Sequence, residues 1–197
     1  TRVLWWVDDA IARGPADECQ QFRDELERTF PGVTESDATY YLGHHISLSQ
    51  EGTVSISAEQ TIRDLCARHG ISKTKETPLP TGCVPAKLKG EPCISPTISQ
   101  QINGSLSYLS TTVRADISHA ASTLGQTSHA PNEKQLGAAK HTLKYLNRTA
   151  DYGLSWKIQE ESTRNVPTCF VDASYADNHD FRSQTGYVIF INGAPIS

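Results

Sequence analysis

Two adjacent carboxylates, Asp8 and Asp9, interrupt an otherwise apolar and aromatic run that extends from Val3 to Ala12. Val, Trp and Ile favour pleated backbone and Asp is common in turns, so the run predicts a tight β-hairpin with an acidic turn. Carboxylates on a rigid hairpin with buried flanks keep a fixed separation, and Mg²⁺ prefers carboxylate oxygens as ligands. On spacing alone, a metal site and ordinary turn chemistry both remain open.

The composition is that of a folded protein with one large or two small domains, since 37% of the 197 residues are hydrophobic and 20% are charged. No apolar run approaches the roughly 20 residues that cross a bilayer, and no signal peptide opens the chain. We therefore expect an intracellular protein, in the cytoplasm or the nucleus, without a membrane partner. The five cysteines form no Cys-x-x-Cys pair, which disfavours both a disulfide framework and a zinc site.

The net charge of −4 conceals a basic middle. Residues 1–60 hold 4 Lys+Arg against 11 Asp+Glu, residues 61–157 hold 12 against 6, and residues 158–197 hold 2 against 5. A protein that binds a phosphate backbone needs local positive charge rather than a global excess. The same distribution also fits a solvated helical surface.

The hairpin must be positioned by the elements that follow it. Gly14-Pro15 predicts the start of a helix that ends at Pro31-Gly32, with apolar residues at helical spacing on one face: Cys19, Phe22, Leu26 and Phe30. Ser57-Ala58-Glu59-Gln60 is a capping-box pattern that opens a second helix, and Gly70 is a C-terminal stop.

A second hairpin is predicted between these helices, because residues 40–48 alternate at strand period and Glu51-Gly52 turns the chain into Val54-Ser55-Ile56. Adjacent side chains on a strand point to opposite faces. His44 and His45 therefore cannot both ligate one metal without a bulge, which favours a structural role.

Helical periodicity returns after a segment that holds half of the ten prolines. Three helices are predicted, with apolar stripes at Ile98, Ile102, Leu106 and Leu109, at Ile117, Ala120, Ala121 and Leu124, and at Leu136, Ala139, Leu143 and Leu146. On the third helix Lys140, Lys144 and Arg148 fall at i, i+4 and i+8 and form a basic stripe. The stripe fits either nucleic-acid binding or plain solubility.

Strand patterns end the chain. Residues 168–175 form an apolar run in which Asp172 is the only acid, and residues 185–191 form a buried strand closed by the turn pair Asn192-Gly193. The sequence as a whole predicts an α+β fold. The unpaired strand edges at Val3–Val7 and Thr185–Ile191 predict self-association.

Several short sequence motifs, taken in their order along the chain, resemble those of one protein family. The hairpin with Trp6-Val7-Asp8-Asp9 and the helix after it resemble the palm of a reverse transcriptase. Further blocks match the order and approximate spacing of copia-type long-terminal-repeat retrotransposon polyproteins: Tyr40-Tyr41-Leu42-Gly43-His44-His45-Ile46, Gly104-Ser105-Leu106-Ser107-Tyr108-Leu109, Arg114-Ala115-Asp116-Ile117 and Tyr152-Gly153-Leu154. The resemblance covers nearly the whole chain.

The resemblance implies a division of the chain. Residues 1–71 would be the C-terminal part of the reverse transcriptase palm, 72–96 a proline-rich linker, 97–150 a helical thumb or connection, and 151–197 the truncated start of a ribonuclease H-like domain. The activity of the complete protein would be metal-dependent, RNA-templated DNA synthesis on a template-primer duplex.

The resemblance also implies site residues. Asp8 and Asp9 would be catalytic ligands of Mg²⁺ or Mn²⁺, and Asp172 a ligand of the ribonuclease H metals. Tyr41, His44 and His45 would contact the nucleic-acid backbone near the primer terminus, and the basic stripe Lys140, Lys144 and Arg148 would lie along the duplex. In this family each carboxylate set needs further acids that the 197 residues do not supply. We therefore expect the isolated chain to be inactive; the alternative is a non-catalytic remnant that binds nucleic acid or protein.

Overall fold

The fold is α+β, as predicted. A computed structural model describes residues 1–83, 94–157, 164–175 and 183–196, and within these it contains five α-helices and three separate antiparallel sheets. The helices are α1 (Ala16–Thr29), α2 (Glu59–Arg68), α3 (Pro96–Thr112), α4 (Ser118–Gly125) and α5 (Glu133–Arg148), with a 3₁₀ turn at Ala115–Ile117. No helix within the described ranges is both long and apolar enough to span a bilayer.

The strands divide into sheets of two, four and three strands within the described residues. The two-stranded sheet holds β1 (Arg2–Trp6) and β2 (Asp9–Arg13), and the four-stranded sheet holds β3 (Tyr40–Tyr41), β4 (His44–Leu48), β5 (Val54–Ser57) and β6 (Gly153–Trp156). The three-stranded sheet holds β7 (Thr168–Ser174), β8 (Gln184–Ile191) and β9 (Ala194–Pro195).

The core lies between α2, α3, α4 and α5. Its central side chains are 0% exposed: Ile62, Ile102, Leu106, Ile117, Leu143 and Leu146. The three predicted apolar stripes are therefore confirmed, with one exception: Ile98, in the first turn of α3, is 49% exposed. Burial of these side chains removes apolar surface from water, which is the main favourable term in folding.

The fourth strand of the four-stranded sheet comes from far along the chain. β6 pairs antiparallel with β5, and the Ser55 and Ser155 hydroxyls lie 2.7 Å apart. Gly153 is required for this pairing, because a Cβ there would lie 2.2 Å from the carbonyl oxygen of Ile56. The second predicted hairpin is thus confirmed, and it gains a fourth strand from residues 153–156.

The described part of the proline-rich segment lies along α5. The Lys75 amide donates to the Lys144 carbonyl at 3.2 Å, and the Thr142 hydroxyl donates to the Pro78 carbonyl at 2.9 Å. Leu79 packs against the helical core. Residues 72–83 therefore belong to the same packed unit as α5, whereas residues 84–93 of the predicted linker lie outside the described residues.

Helix caps differ in part from the prediction. Ala58, not Ser57, is the N-cap of α2, and it makes no side-chain cap hydrogen bond, so the capping box predicted there is wrong. The capping box of the structure is at α5, where Asn132 Oδ1 accepts from the Gln135 amide and Gln135 Oε1 accepts from the Asn132 amide. Gly70, with φ of +64°, ends α2 as predicted.

A buried arginine ties the turn after α3 to the end of α5. The Arg114 side chain is 1% exposed and forms a bidentate ion pair with Asp116. It also donates to the carbonyl and the hydroxyl of Thr149, the C-cap of α5, at 2.8 and 2.6 Å. Tyr145 donates to Asp116 at 2.8 Å. This network explains structurally why an Arg and an Asp stand two residues apart here.

The N-terminal unit is less buried than predicted. No residue from Thr1 to Thr39 is buried, and Trp6 is 61% exposed. The helix α1 forms as expected, yet its predicted apolar face is at most half-buried. The expectation that the flanks of the acidic hairpin are buried is wrong for this chain, because no described element covers them.

The three-stranded sheet contacts the rest of the described chain near the end of β6 and the end of α3. Asn192 and Gly193 form the predicted turn, with φ of +52° and +88°. The Lys157 amide donates to the Asn192 carbonyl at 3.2 Å, and a cavity of about 560 Å³ separates Tyr187 from Thr111 at the end of α3. The outer face stays open, since Phe170 is 61% exposed.

Candidate nucleic-acid interface

The acidic turn is tight and strained. Val7 and Asp8 form the two-residue loop between β1 and β2, and Trp6 pairs with Asp9. Val7 has φ of +52°, a left-handed conformation that is rare for a β-branched residue. The Trp5 indole donates to the Val7 carbonyl at 2.9 Å. Asp8 and Asp9 are therefore exposed at the tip of the hairpin.

Asp172 lies in a separate sheet. It is exposed on β7, opposite Gly186 of β8, and its Oδ1 accepts from the Ala173 amide at 2.9 Å. A Cβ built on Gly186 would meet no atom within 4 Å, so the space above this strand pair is open.

The predicted metal ligands do not come together as one donor set within the described residues. Within the described residues, no three Asp, Glu, His or Cys side chains are gathered where they could hold a metal ion. Asp8 and Asp9 have no third partner there, and Asp172 does not join them. The part of the chain that the structure describes thus does not fit a two-metal site, which needs several carboxylates at fixed positions.

His44 and His45 are adjacent residues of β4, and strand alternation turns their side chains to opposite faces. His44 is 8% exposed and packs on Tyr108, with ring centroids 5.6 Å apart, whereas His45 is exposed beside Tyr40. Burial lowers the pKa of His44, although backbone hydrogen bonds to Leu42 and Tyr41 act in the opposite direction. The Nε2 of His44 has no partner in the structure.

Two helices hold the turn between β3 and β4. Leu42 and Gly43 have φ of +48° and +78°, the type I′ arrangement that Leu adopts at a cost. Tyr108 of α3 donates to the Leu42 carbonyl at 2.7 Å, and Thr61 of α2 donates to the Gly43 carbonyl at 2.8 Å. Of the residues predicted here, His44 is buried, Tyr41 is half-buried and His45 is exposed.

The three residues of the basic stripe differ in their surroundings. Arg148 is paired with Glu76 at 3.1 Å, and both side chains are exposed. Lys140 and Lys144 are half-buried on α5 and have no ion-pair partner among the described residues. The unpaired positive charge of the stripe is therefore concentrated at its N-terminal end.

Further cations join Lys140 and Lys144 from other segments. We call the whole set the basic cluster, and it consists of Arg68 and His69 at the end of α2, Lys75, and Lys140, His141 and Lys144 of α5. The His141 ring nitrogen Nε2 lies 3.0 Å from the Thr77 carbonyl, which fixes the 72–77 segment against α5.

The neighbouring cations act on the pKa of both histidines of the cluster. Burial lowers the pKa of His69, and the charges of Arg68 and Lys140 lower it further. Burial also lowers the pKa of His141; the Thr77 carbonyl opposes this, and Lys75 and Lys144 add to it. Like charges gathered on one surface repel one another, so the cluster is not a source of stability.

Sequence reasoning found two members of the basic cluster and missed four. Arg68, His69, Lys75 and His141 come from three stretches that only folding brings together. The basic excess of residues 61–157 was the available signal, but it carries no spatial information.

Comparisons with known proteins show which proteins the chain is similar to. It is 31% identical, over 99% of its length, to the retrovirus-related Pol polyproteins from transposons RE1 and RE2 of Arabidopsis thaliana, and it spans 13% of each. It is 26% identical over 99% of its length to a transposon Ty5-1 protein of Saccharomyces cerevisiae, of which it covers 64%. No protein-family model and no solved structure matches it. The chain is therefore similar, over nearly its whole length, to one segment of the retrovirus-related Pol polyproteins of transposons.

Proposed function

We propose that the chain is a segment of a copia-type reverse transcriptase that includes the end of the palm, the thumb or connection, and the start of ribonuclease H. The observation that carries this proposal is the tight hairpin that presents Asp8 and Asp9, followed by α1, in a chain similar to Pol polyproteins over 99% of its length. The complete protein would be an intracellular RNA-directed DNA polymerase that acts on a template-primer duplex with Mg²⁺ or Mn²⁺.

The isolated chain is proposed to be inactive. Asp8 and Asp9 would supply part of one carboxylate set and Asp172 part of another, and the described residues complete neither. Purified chain should neither extend a primer nor cleave an RNA–DNA hybrid in Mg²⁺ or Mn²⁺. Primer extension that disappears in Asp8→Asn, or hybrid cleavage that disappears in Asp172→Asn, would contradict this.

A second candidate function is nucleic-acid binding without catalysis. The observation that favours it is the basic cluster, whose four permanent cations have no carboxylate partner among the described residues. Gathering such charges is unfavourable unless an anion offsets them, and a phosphate backbone is a regular array of anions. Binding would then be indifferent to base sequence, because these contacts reach phosphate rather than base edges.

Fluorescence anisotropy with a short labelled duplex tests this second function. We expect binding whose logarithmic affinity falls with logarithmic salt concentration at a slope of about −2 to −3. The triple change of Lys75, Lys140 and Lys144 to Gln should abolish most of this slope. The matched control replaces three exposed N-terminal arginines by Gln, namely Arg2, Arg13 and Arg28. Equal effects of the two triple variants would show that only net charge matters.

A further inference from the structure

The basic cluster contains two groups that can change charge near neutral pH. His69 and His141 are half-buried within it, and every charged group that acts on them in the described structure is a cation. His69 faces Arg68 of its own helix and Lys140 of α5. The acid nearest in the chain to this surface, Glu76, is occupied by Arg148 at 3.1 Å.

His141 is also fixed in orientation. Its Nε2 lies 3.0 Å from the Thr77 carbonyl, which can only accept, so Nε2 carries a proton in every charge state. The second ring nitrogen, Nδ1, is then the atom that gains or loses a proton. The Lys75 amide donates to the Lys144 carbonyl at 3.2 Å, which brings the 72–77 segment onto α5, and the charges of both lysines act on this ring.

In the free protein these surroundings favour the neutral imidazoles. Burial and the neighbouring cations lower the pKa of both histidines, so at neutral pH each is mostly uncharged. A phosphate group placed on the cluster would reverse the balance, because it brings negative charge to within a few ångströms of each ring.

We propose that the basic cluster binds phosphate groups with uptake of protons by His69 and His141. The proposal rests on the nucleic-acid-binding function inferred above and adds a regulatory property to the same site. The step is a simple protonation: a proton leaves solvent or buffer and bonds to the free ring nitrogen, and the imidazolium then pairs with a phosphate oxygen. Binding therefore tightens as pH falls. Linkage sets an upper limit of about tenfold in affinity per pH unit for each proton taken up.

The test uses the full chain, a short duplex and inorganic tripolyphosphate as a second probe. Affinity is measured from pH 8 to pH 6 at constant ionic strength. Titration calorimetry in two buffers with different ionisation enthalpies then counts the protons. We expect duplex affinity to rise several-fold across this range, with net proton uptake. If the affinity for tripolyphosphate shows the same pH dependence, the site is a general polyphosphate site. If only the affinity for duplex shows it, the site is specific for nucleic acid.

The double variant His69→Gln, His141→Gln tests the proton uptake through the ratio of duplex affinity at pH 6 to that at pH 8, which should fall to about one whatever its affinity at pH 8. At pH 6 it should lack the gain in affinity and the proton uptake. The matched control is His119→Gln, His129→Gln, which replaces two exposed histidines on and after α4 and should keep both.

The outcomes separate the two proposals. Salt-sensitive binding with no dependence on pH, or a pH dependence that survives in the double variant, overturns proton uptake and leaves nucleic-acid binding standing. Absence of binding to either probe at every pH overturns both.

Discussion

The helical core and the N-terminal unit differ sharply in how they are held together. Leu143 and Leu146 in the core are 0% exposed, whereas no residue of the first 39 is buried and Val7 is 80% exposed. Yet the N-terminal unit carries the strained turn and the paired carboxylates, while the core carries the cations. The candidate binding surface therefore lies on helices with a buried core, whereas the candidate catalytic residues Asp8 and Asp9 lie on a hairpin that no described element covers.

The strongest test of this contrast is Arg114→Met. This change leaves Asp116 and the Thr149 carbonyl without their partner in a site where the Arg114 side chain is 1% exposed. We expect the free energy of unfolding to fall by about 3–5 kcal/mol, as measured by urea denaturation. The control Arg148→Met breaks an exposed pair and should cost less than about 1 kcal/mol. Similar losses for both variants would show that the buried network is not special.

The second test compares two leucines. Leu143→Ala removes a side chain that is 0% exposed, so it should cost about 2–5 kcal/mol through lost burial and a residual cavity. Leu4→Ala removes one that is 62% exposed, and it should change stability by no more than about 0.5 kcal/mol. A large loss in Leu4→Ala would mean that the N-terminal unit is covered in solution, for example by a second copy through the β1 edge.

The third test concerns pH and should give the smallest change. The folded-state pKa of His44 is lowered, chiefly by burial, so folding favours the neutral imidazole. Its contribution to stability is complete above the unfolded pKa of about 6.5 and declines as pH falls below that value. His69 and His141 act in the same direction.

Denaturation curves at pH 7.5 and pH 5.5 check this, with His44→Gln expected to show a smaller difference than the parent. Asp116 does not interfere in this window. Burial alone would raise its pKa, but hydrogen bonds and charge from Arg114 outweigh burial and lower it, so its contribution is lost only below about pH 4. An identical pH difference in His44→Gln would assign the effect to other groups.

Much of the fold followed from local pattern. The stripes of α3, α4 and α5 and the turns at Asp8 and Asn192 were predictable because periodicity and turn chemistry act over a few residues. The α2 cap was predicted wrongly because Ser57 is the last residue of β5. The helix therefore begins one residue later, with Ala58 as its N-cap. The partner of β6 was not predictable, since a strand pattern does not say which edge it will join.

The candidate site was less accessible to sequence reasoning. The exposed positions of Asp8 and Asp9 followed from the hairpin, but the lack of cover did not, because burial depends on elements elsewhere. Lys140 and Lys144 were found by helical spacing. Their neighbours Arg68 and Lys75 were not, because the packing of α2 and the 72–77 segment against α5 is a property of the tertiary fold.

The pairing of β6 with β5 bears on how the protein is made. Ser55 and Ser155 meet across 100 residues, and Gly153 leaves no room for a side chain at the junction. During synthesis at about 5–20 residues per second, β5 therefore waits roughly 5–20 s with one edge unpaired. Throughout that interval the hairpin of β4 and β5 is open to capture by another nascent chain on the same messenger. The order in which segments leave the ribosome thus leaves the β5 edge of residues 40–57 unprotected until β6 has been made.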